Sequence, residues 1–204
     1  MADTVVCTRA CYFYAGDKVI DYAEYPEGGL TPGLTYTPGH PNHMPSYDEE
    51  RYELYRIEYN GSNVTNRSIT CPNNDFVCDY LFELLPPPDW EWYSDVRKGV
   101  EMRYTKISDT EYKVRPLTAS EWNDFIDRIV WFLEYNGWSI TSGTVSSWYV
   151  TKGAEMCADD VENVRQLIDA MDPPVAVPAA VSSGRKITAA FFNGLKNSLN
   201  SIER

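Results

Sequence analysis

The spacing of hydrophobic residues changes once along the chain, close to Pro116. Upstream, β-branched and aromatic runs end at turn-forming residues, which is typical of strands joined by hairpins: 5–25, 52–59, 64–85 and 102–114. Downstream, apolar residues recur at every third or fourth position, which predicts helices. The pattern predicts an α+β fold, in which a β-rich, sandwich-like domain over residues 1–115 precedes a small three-helix subdomain over residues 116–204.

One long segment of the N-terminal domain lacks any periodicity. Residues 26–47 contain five prolines and four glycines, and both residue types interrupt regular structure. A loop of this length is usually functional or becomes ordered only when it binds. We therefore expect residues 26–47 to form an irregular arm that packs on a neighbouring subunit.

The C-terminal region predicts three helices. Thr118 followed by Glu121 is a capping-box pattern that opens the first helix, which is expected to end near Gly137. The second helix is expected over residues 158–171, and the third begins after Thr188. Because isolated helices of this length are marginal in water, each apolar stripe must pack against a partner.

A short phrase occurs twice in this region, as LTASEWN at residues 117–123 and as ITAAFFN at residues 187–193. The apolar residues that follow the two copies keep the same register, so both copies are expected to pack in the same way. We expect the following residues to pack within the helical module or at a subunit interface: Thr118, Trp122, Asn123, Phe125, Ile129, Thr188, Phe192, Asn193, Leu195 and Leu199.

Composition and charge narrow the functional classes. The 6 Trp, 15 Tyr and 7 Phe supply the buried area of a folded domain. A formal net charge of -12 disfavours a nucleic-acid partner, which is held mainly by Lys and Arg. No apolar run approaches the roughly 20 residues that span a bilayer, and the N-terminus lacks the basic region of a signal peptide. We therefore expect synthesis in a cytoplasm and neither a nucleic-acid nor a membrane partner.

Four cysteines fall into two pairs, Cys7 with Cys11 and Cys71 with Cys78. Their spacings lack the C-x2-C of zinc knuckles, and three states stay open: buried free thiols, a disulfide between the two regions, or a metal site. Free thiols are favoured because no signal peptide is expected. Cys157 lies at a predicted helix start, where thiolates are favoured. It has no base near it in sequence, so we expect no nucleophile there.

Two further groups have both a functional and a structural interpretation. His40 and His43 lie in the proline-rich segment without a third ligand, so no metal site is expected. Trp90, Trp92 and Tyr93 lie beside carboxylates and form a candidate platform for glycan contact, although a partly buried aromatic cluster explains the same residues.

The sequence contains no catalytic or cofactor-binding motif of the common classes. We therefore expect no enzyme activity and no cofactor.

The repeated phrase and its surroundings, residues 117–125 and 181–193, resemble a C-terminal module of bacteriophage tail and other virion structural proteins, in which two "TAxx(F/W)N" helices flank a variable middle. The resemblance covers about residues 117–202 and none of the N-terminal half. It implies a non-enzymatic virion protein of the tail, baseplate, collar or fibre-attachment region, made in the host bacterial cytoplasm. Its expected partners are other virion proteins and further copies of itself. A receptor- or glycan-binding module on the virion is the alternative.

Overall fold

The computed structural model describes most of the chain. The described residues are 4–39, 48–92, 104–106, 112–114, 117–138, 145–152, 157–182 and 187–204.

The chain divides into two compact units. The first, here called the sheet unit, comprises Met1–Pro86 and Glu134–Gly137, and the second, the helical unit, comprises Pro87–Leu133 and Trp138–Arg204. The domain boundary predicted between residues 115 and 116 lies outside the described residues and stays a prediction.

The strands of the sheet unit are β1 (Val5–Ala15), β2 (Lys18–Leu30), β3 (Thr35–Tyr36), β4 (Tyr52–Tyr59), β5 (Ser62–Asn63), β6 (Ile69–Thr70) and β7 (Phe76–Leu84). A five-stranded mixed sheet has the order β2-β1-β7-β4-β5. In it β1 and β7 are parallel, and the other neighbours are antiparallel. A separate two-stranded ladder pairs β3 with β6.

Alternation along the strands gives this sheet one buried face. On that face, Cys7 and Phe13 of β1 and Tyr80 of β7 are at most 1% exposed. Tyr36 and Ile69, from the β3–β6 ladder, pack into the same core. The small ladder therefore adds a second layer to the buried face.

The first part of the segment predicted as an irregular arm is in fact strand. β2 continues through Pro26 and ends at Leu30, and β3 follows after a short turn. Because β2 is an edge strand, a proline can lie in it without removing a hydrogen bond that the sheet requires. Gly29, with φ of 80°, lies where the β1–β2 register shifts in a bulge. Residues 40–47 lie outside the described part of the chain.

After the sheet unit, the described residues form a hairpin and three helices: β8 (Tyr104–Lys106), β9 (Tyr112–Val114), α1 (Ala119–Tyr135), α2 (Ala158–Ala170) and α3 (Ala189–Asn200). The three predicted helices are confirmed, as is the α+β class. α1 is followed by Gly137 with φ of 71°, in the left-handed region that commonly ends a helix. None of the described helices is long and apolar enough to span a membrane.

An aromatic core fills the helical unit. Trp122 and Phe192, from equivalent positions of the repeated phrase, meet edge to face with ring centres 6.1 Å apart. The indole N–H of Trp122 also donates to the carbonyl oxygen of Trp148 at 2.8 Å. The buried members of this core are Trp90, Trp92, Trp122, Phe125, Ile126, Ile129, Phe132, Leu133, Trp148, Val161, Val164, Ile168, Met171, Phe192, Leu195, Leu199 and Ile202.

Candidate functional site

The repeated phrase has the same role at two helix starts. The N–H of Glu121 donates to Thr118 Oγ1 at 3.1 Å, and the N–H of Phe191 donates to Thr188 Oγ1 at 3.3 Å, so each threonine caps its helix. The predicted packing residues after the caps are each at most 5% exposed: Trp122, Phe125, Ile129, Phe192, Leu195 and Leu199. They pack the helical unit itself.

The two asparagines of the phrase differ in their contacts. The N–H of Val150 donates to Asn123 Oδ1 at 2.9 Å, and Asn123 Nδ2 donates to the Val150 carbonyl at 3.0 Å. Asn193 is 7% exposed, and its Oδ1 accepts no hydrogen bond from the described residues. Asn200 instead repeats the two-bond pattern, on the backbone of Trp90. Two side-chain amides thus hold extended segments against the helices.

Trp90 and Trp92 belong to the helical core and do not form an exposed platform. Each is 5% exposed. Their rings lie 5.6 Å and 4.8 Å, centre to centre, from the ring of Phe125. The ring faces that a sugar needs are covered by protein, which corrects the glycan-contact prediction for these two residues. Tyr93 lies outside the described residues.

Four of the five cysteines lie in the sheet core as free thiols. Cys7, Cys11, Cys71 and Cys78 are at most 3% exposed, whereas Cys157 is exposed. A hydrogen bond between Cys7 and Cys78 lowers the pKa of Cys7 and raises that of Cys78. Burial raises the pKa of Cys11 to about 12. These thiols are therefore inaccessible to a substrate in the folded state.

The register of β1 and β7 explains why the hydrogen-bonded thiols are not a disulfide. Cys7 is opposite Phe76, and Cys78 is opposite Arg9. The two cysteines are diagonal neighbours, with Cα atoms roughly 8 Å apart for ordinary strand spacings, which exceeds the disulfide range. In the described part of the chain, no group of three or more His, Cys, Asp or Glu is placed to hold a metal ion. His40 and His43 lie outside it.

A charged cluster beside the thiols joins three strands. Arg9 Nε donates to Glu27 Oε2 at 3.0 Å, and the hydroxyl of Tyr36 donates to the same oxygen at 2.7 Å. Burial opposes the ionisation of Glu27, but the two donors outweigh it and lower the pKa of Glu27. Because these residues come from β1, β2 and β3, the cluster fixes the edge strand and the small ladder to the sheet.

The opposite face of the sheet is open to solvent and rich in tyrosine and acid. Tyr12 and Tyr22 are cross-strand partners with ring centres 4.9 Å apart. Tyr22 and Tyr55 are 46% and 64% exposed. We call this surface the tyrosine face and define it by Tyr12, Tyr14, Tyr22 and Tyr55 together with Glu24, Glu53, Glu58, Asp79 and Glu83.

Like charges oppose each other across two strands of the tyrosine face. The register places Glu53 opposite Glu83 and Glu58 opposite Asp79, an arrangement that is destabilising for a sheet. Burial, and then the neighbouring Glu58 carboxylate, raise the pKa of Asp79. Arg56 forms an ion pair with Glu58 at 2.8 Å, which offsets part of this repulsion.

A depression of about 470 Å³ opens at one end of the tyrosine face; its lining residues are Tyr14, Gly16, Asp17, Tyr55, Arg56, Leu81, Phe82 and Glu83. The guanidinium of Arg56 lies 5.4 Å from the centre of the Tyr55 ring. Aromatic rings beside carboxylates are the surroundings that organic cations prefer. The lining carries two carboxylates, Asp17 and Glu83, against the one guanidinium of Arg56, so its net negative charge favours a further arginine or lysine side chain.

The tyrosine face was not predicted from the sequence. Tyr12 and Tyr14 lie in a segment that was predicted to form strand, but the face on which their side chains lie was not predicted. The pattern did not show that Glu83 and Tyr55 lie on the same face, because this depends on the pairing of β1, β7 and β4. The neighbourhood of acids and rings is thus a product of strand order.

The chain matches no protein-family model, no curated protein and no solved structure. Its function must therefore be inferred from its own residues and their arrangement.

Proposed function

We propose that the chain is a non-enzymatic structural protein of a bacteriophage virion, belonging to the tail, baseplate, collar or fibre-attachment region. It acts through contacts with other virion proteins and with further copies of itself. The protein is made in the host bacterial cytoplasm and becomes part of the particle.

The main support for the proposal is the way in which both copies of the repeated phrase cap their helices and pack in the core. Both copies place a threonine cap and then an aromatic anchor, and the two anchors, Trp122 and Phe192, meet in one buried core. A phrase whose threonines cap two helices and whose aromatic residues fill one shared core specifies a folded module rather than a reaction. The resemblance of this phrase to virion proteins supports the same assignment.

The placement of the reactive side chains also supports a structural role. Cys7, Cys11, Cys71 and Cys78 are packed in the sheet core. The charged cluster of Arg9, Glu27 and Tyr36 is used to join strands. The net charge of -12 is consistent with a partner that is neither nucleic acid nor an anionic lipid surface.

Two measurements test the proposal. Mass spectrometry of particles purified from an induced lysate of the bacterium that carries the gene should detect the chain at a stoichiometry comparable with that of other tail proteins. Light scattering across a concentration series should give a defined oligomer. Particles that contain other tail proteins but not this chain would contradict the virion role, and a monomer at every concentration would contradict self-assembly.

A further inference from the structure

We propose that the tyrosine face is the surface on which a basic segment of another protein docks, with arginine and lysine side chains placed between the tyrosine rings and the carboxylates. The proposal gives the chemistry of one partner of the chain. It rests on the proposed virion role for the identification of that partner as a virion protein.

Charge complementarity identifies the occupant. Across β4 and β7, Glu53 opposes Glu83, and Glu58 opposes Asp79. Opposed like charges weaken a sheet, and Arg56 pairs with only one member of these two pairs, Glu58. A cation that binds between the carboxylates relieves their repulsion, so a basic segment gains more here than on an ordinary solvated surface.

The exposed rings add a contact that favours arginine in particular. Tyr22 and Tyr55 are 46% and 64% exposed, so a large part of each ring is available. A guanidinium over a tyrosine face is attracted by the electrons of the ring, and the chain itself places Arg56 against Tyr55 in this way. The depression bounded by Tyr14 and Asp17 is large enough for one further long side chain.

A second copy of the chain is a poor occupant of this face. In a two-fold symmetric contact the same patch meets itself, so Glu53 and Glu83 of one copy would approach those of the other. Each copy carries a formal net charge of -12, which adds to the repulsion. The partner at this face is therefore a basic segment of a different protein.

Fluorescence anisotropy with a labelled short oligoarginine peptide, in about 0.15 M salt, tests the proposal. Tyr55→Leu leaves the net charge unchanged and should weaken binding about three-fold through the lost ring contact. Glu83→Gln should weaken binding by a similar factor. Matched controls are Tyr149→Leu and Glu203→Gln, at exposed positions of the helical unit; both should bind the peptide like the parent chain.

The outcomes separate this surface from general attraction to an acidic protein. If the face variants bind like the parent, or if the controls weaken binding as much, the docking surface is wrong. Amide chemical shifts give a second measurement: the peptide should move residues 14–17, 55–56 and 81–83, and shifts spread evenly over the chain would overturn the proposal. If particles contain the chain but peptide binding is unaffected by the changes at Tyr55 and Glu83, the virion role would stand and the docking surface would be wrong. If the peptide binds through Tyr55 and Glu83 but the chain is absent from particles, the docking surface would stand and the virion role would be wrong.

Discussion

Asn200 holds the backbone of Trp90 through two hydrogen bonds: the Trp90 N–H donates to Oδ1 at 2.8 Å, and Nδ2 donates to the Trp90 carbonyl at 3.0 Å. The side-chain amide thus takes the place of a neighbouring strand for a segment that has no regular secondary structure. It also fixes the position from which the Trp90 ring enters the helical core.

Replacing Asn200 by alanine should lower the free energy of unfolding by about 1–3 kcal/mol, because two backbone groups of Trp90 lose their partner. Asn197→Ala is the matched control, since this residue lies on the same helix and is exposed. It should be neutral or slightly stabilising because alanine favours helix. Urea denaturation followed by tryptophan fluorescence measures both, and equal effects of the two variants would count against the role of the Asn200 amide.

The helices were predictable from the sequence because each carries its own evidence. Thr118 and Thr188 precede apolar residues at helical spacing, and the structure has α1 and α3 begin directly after them. The backbone partners of the asparagine side chains were not predictable to the same degree. Asn123 and Asn193 occupy equivalent positions of the repeated phrase, yet Asn123 pairs with the backbone of Val150 and Asn193 does not. Whether the asparagine finds such a partner depends on the path of a loop that is distant in sequence.

In the sheet, too, the contacts between segments distant in sequence could not be predicted. β-branched and aromatic runs correctly indicated strands in the N-terminal region, but turn residues suggested that hairpins join them throughout. The structure instead places β7 beside β1 in a parallel pair and leaves β2 at the edge. An edge strand can contain a proline such as Pro26. The irregular structure predicted at this position was therefore wrong, because the sequence does not show which strand lies at the edge.

Each helix cap has a measurable contribution. Thr118→Ala and Thr188→Ala should each lower stability by about 1 kcal/mol, because a backbone N–H of the first turn loses its acceptor. Thr151→Ala, at an exposed position outside the helices, is the control. Thermal midpoints of both cap variants that match the control would be inconsistent with capping by these hydroxyls.

The thiols should react in two classes. In the native protein, a disulfide reagent such as dithionitrobenzoate should modify Cys157 rapidly and the four buried cysteines slowly, because access and thiolate formation are both restricted in the core. In denaturant without a reductant, all five should react. The variant Cys157→Ser should lose the fast phase. Fewer than five reactive thiols in denaturant would reveal a disulfide.

Glu27 should contribute to the acid sensitivity of the sheet unit. Its folded pKa lies below the ordinary value of 4.5, so its ionised form stabilises the folded state above that pH, and the contribution is lost as the pH falls through the lowered folded pKa. The stability difference between the parent and Glu27→Gln should therefore be largest near neutral pH and shrink below pH 4.5. Urea titrations at a series of pH values measure it. The exposed Glu49→Gln provides the control, and a difference that does not vary with pH would argue against the ion cluster.

Gly194 is required by the close approach of Pro178 to α3. A Cβ at residue 194 would lie 2.4 Å from Pro178 Cγ, and the proline ring has little freedom to move away. Gly194→Ala should therefore destabilise the protein by about 1–3 kcal/mol, although alanine in an open helix position would gain about 1 kcal/mol over glycine. In the background of Pro178→Ala the clash is absent, and the same change should become neutral or stabilising. A double-mutant cycle in urea isolates this coupling; a cost for Gly194→Ala that is the same in both backgrounds would place its origin elsewhere than in the Pro178 contact.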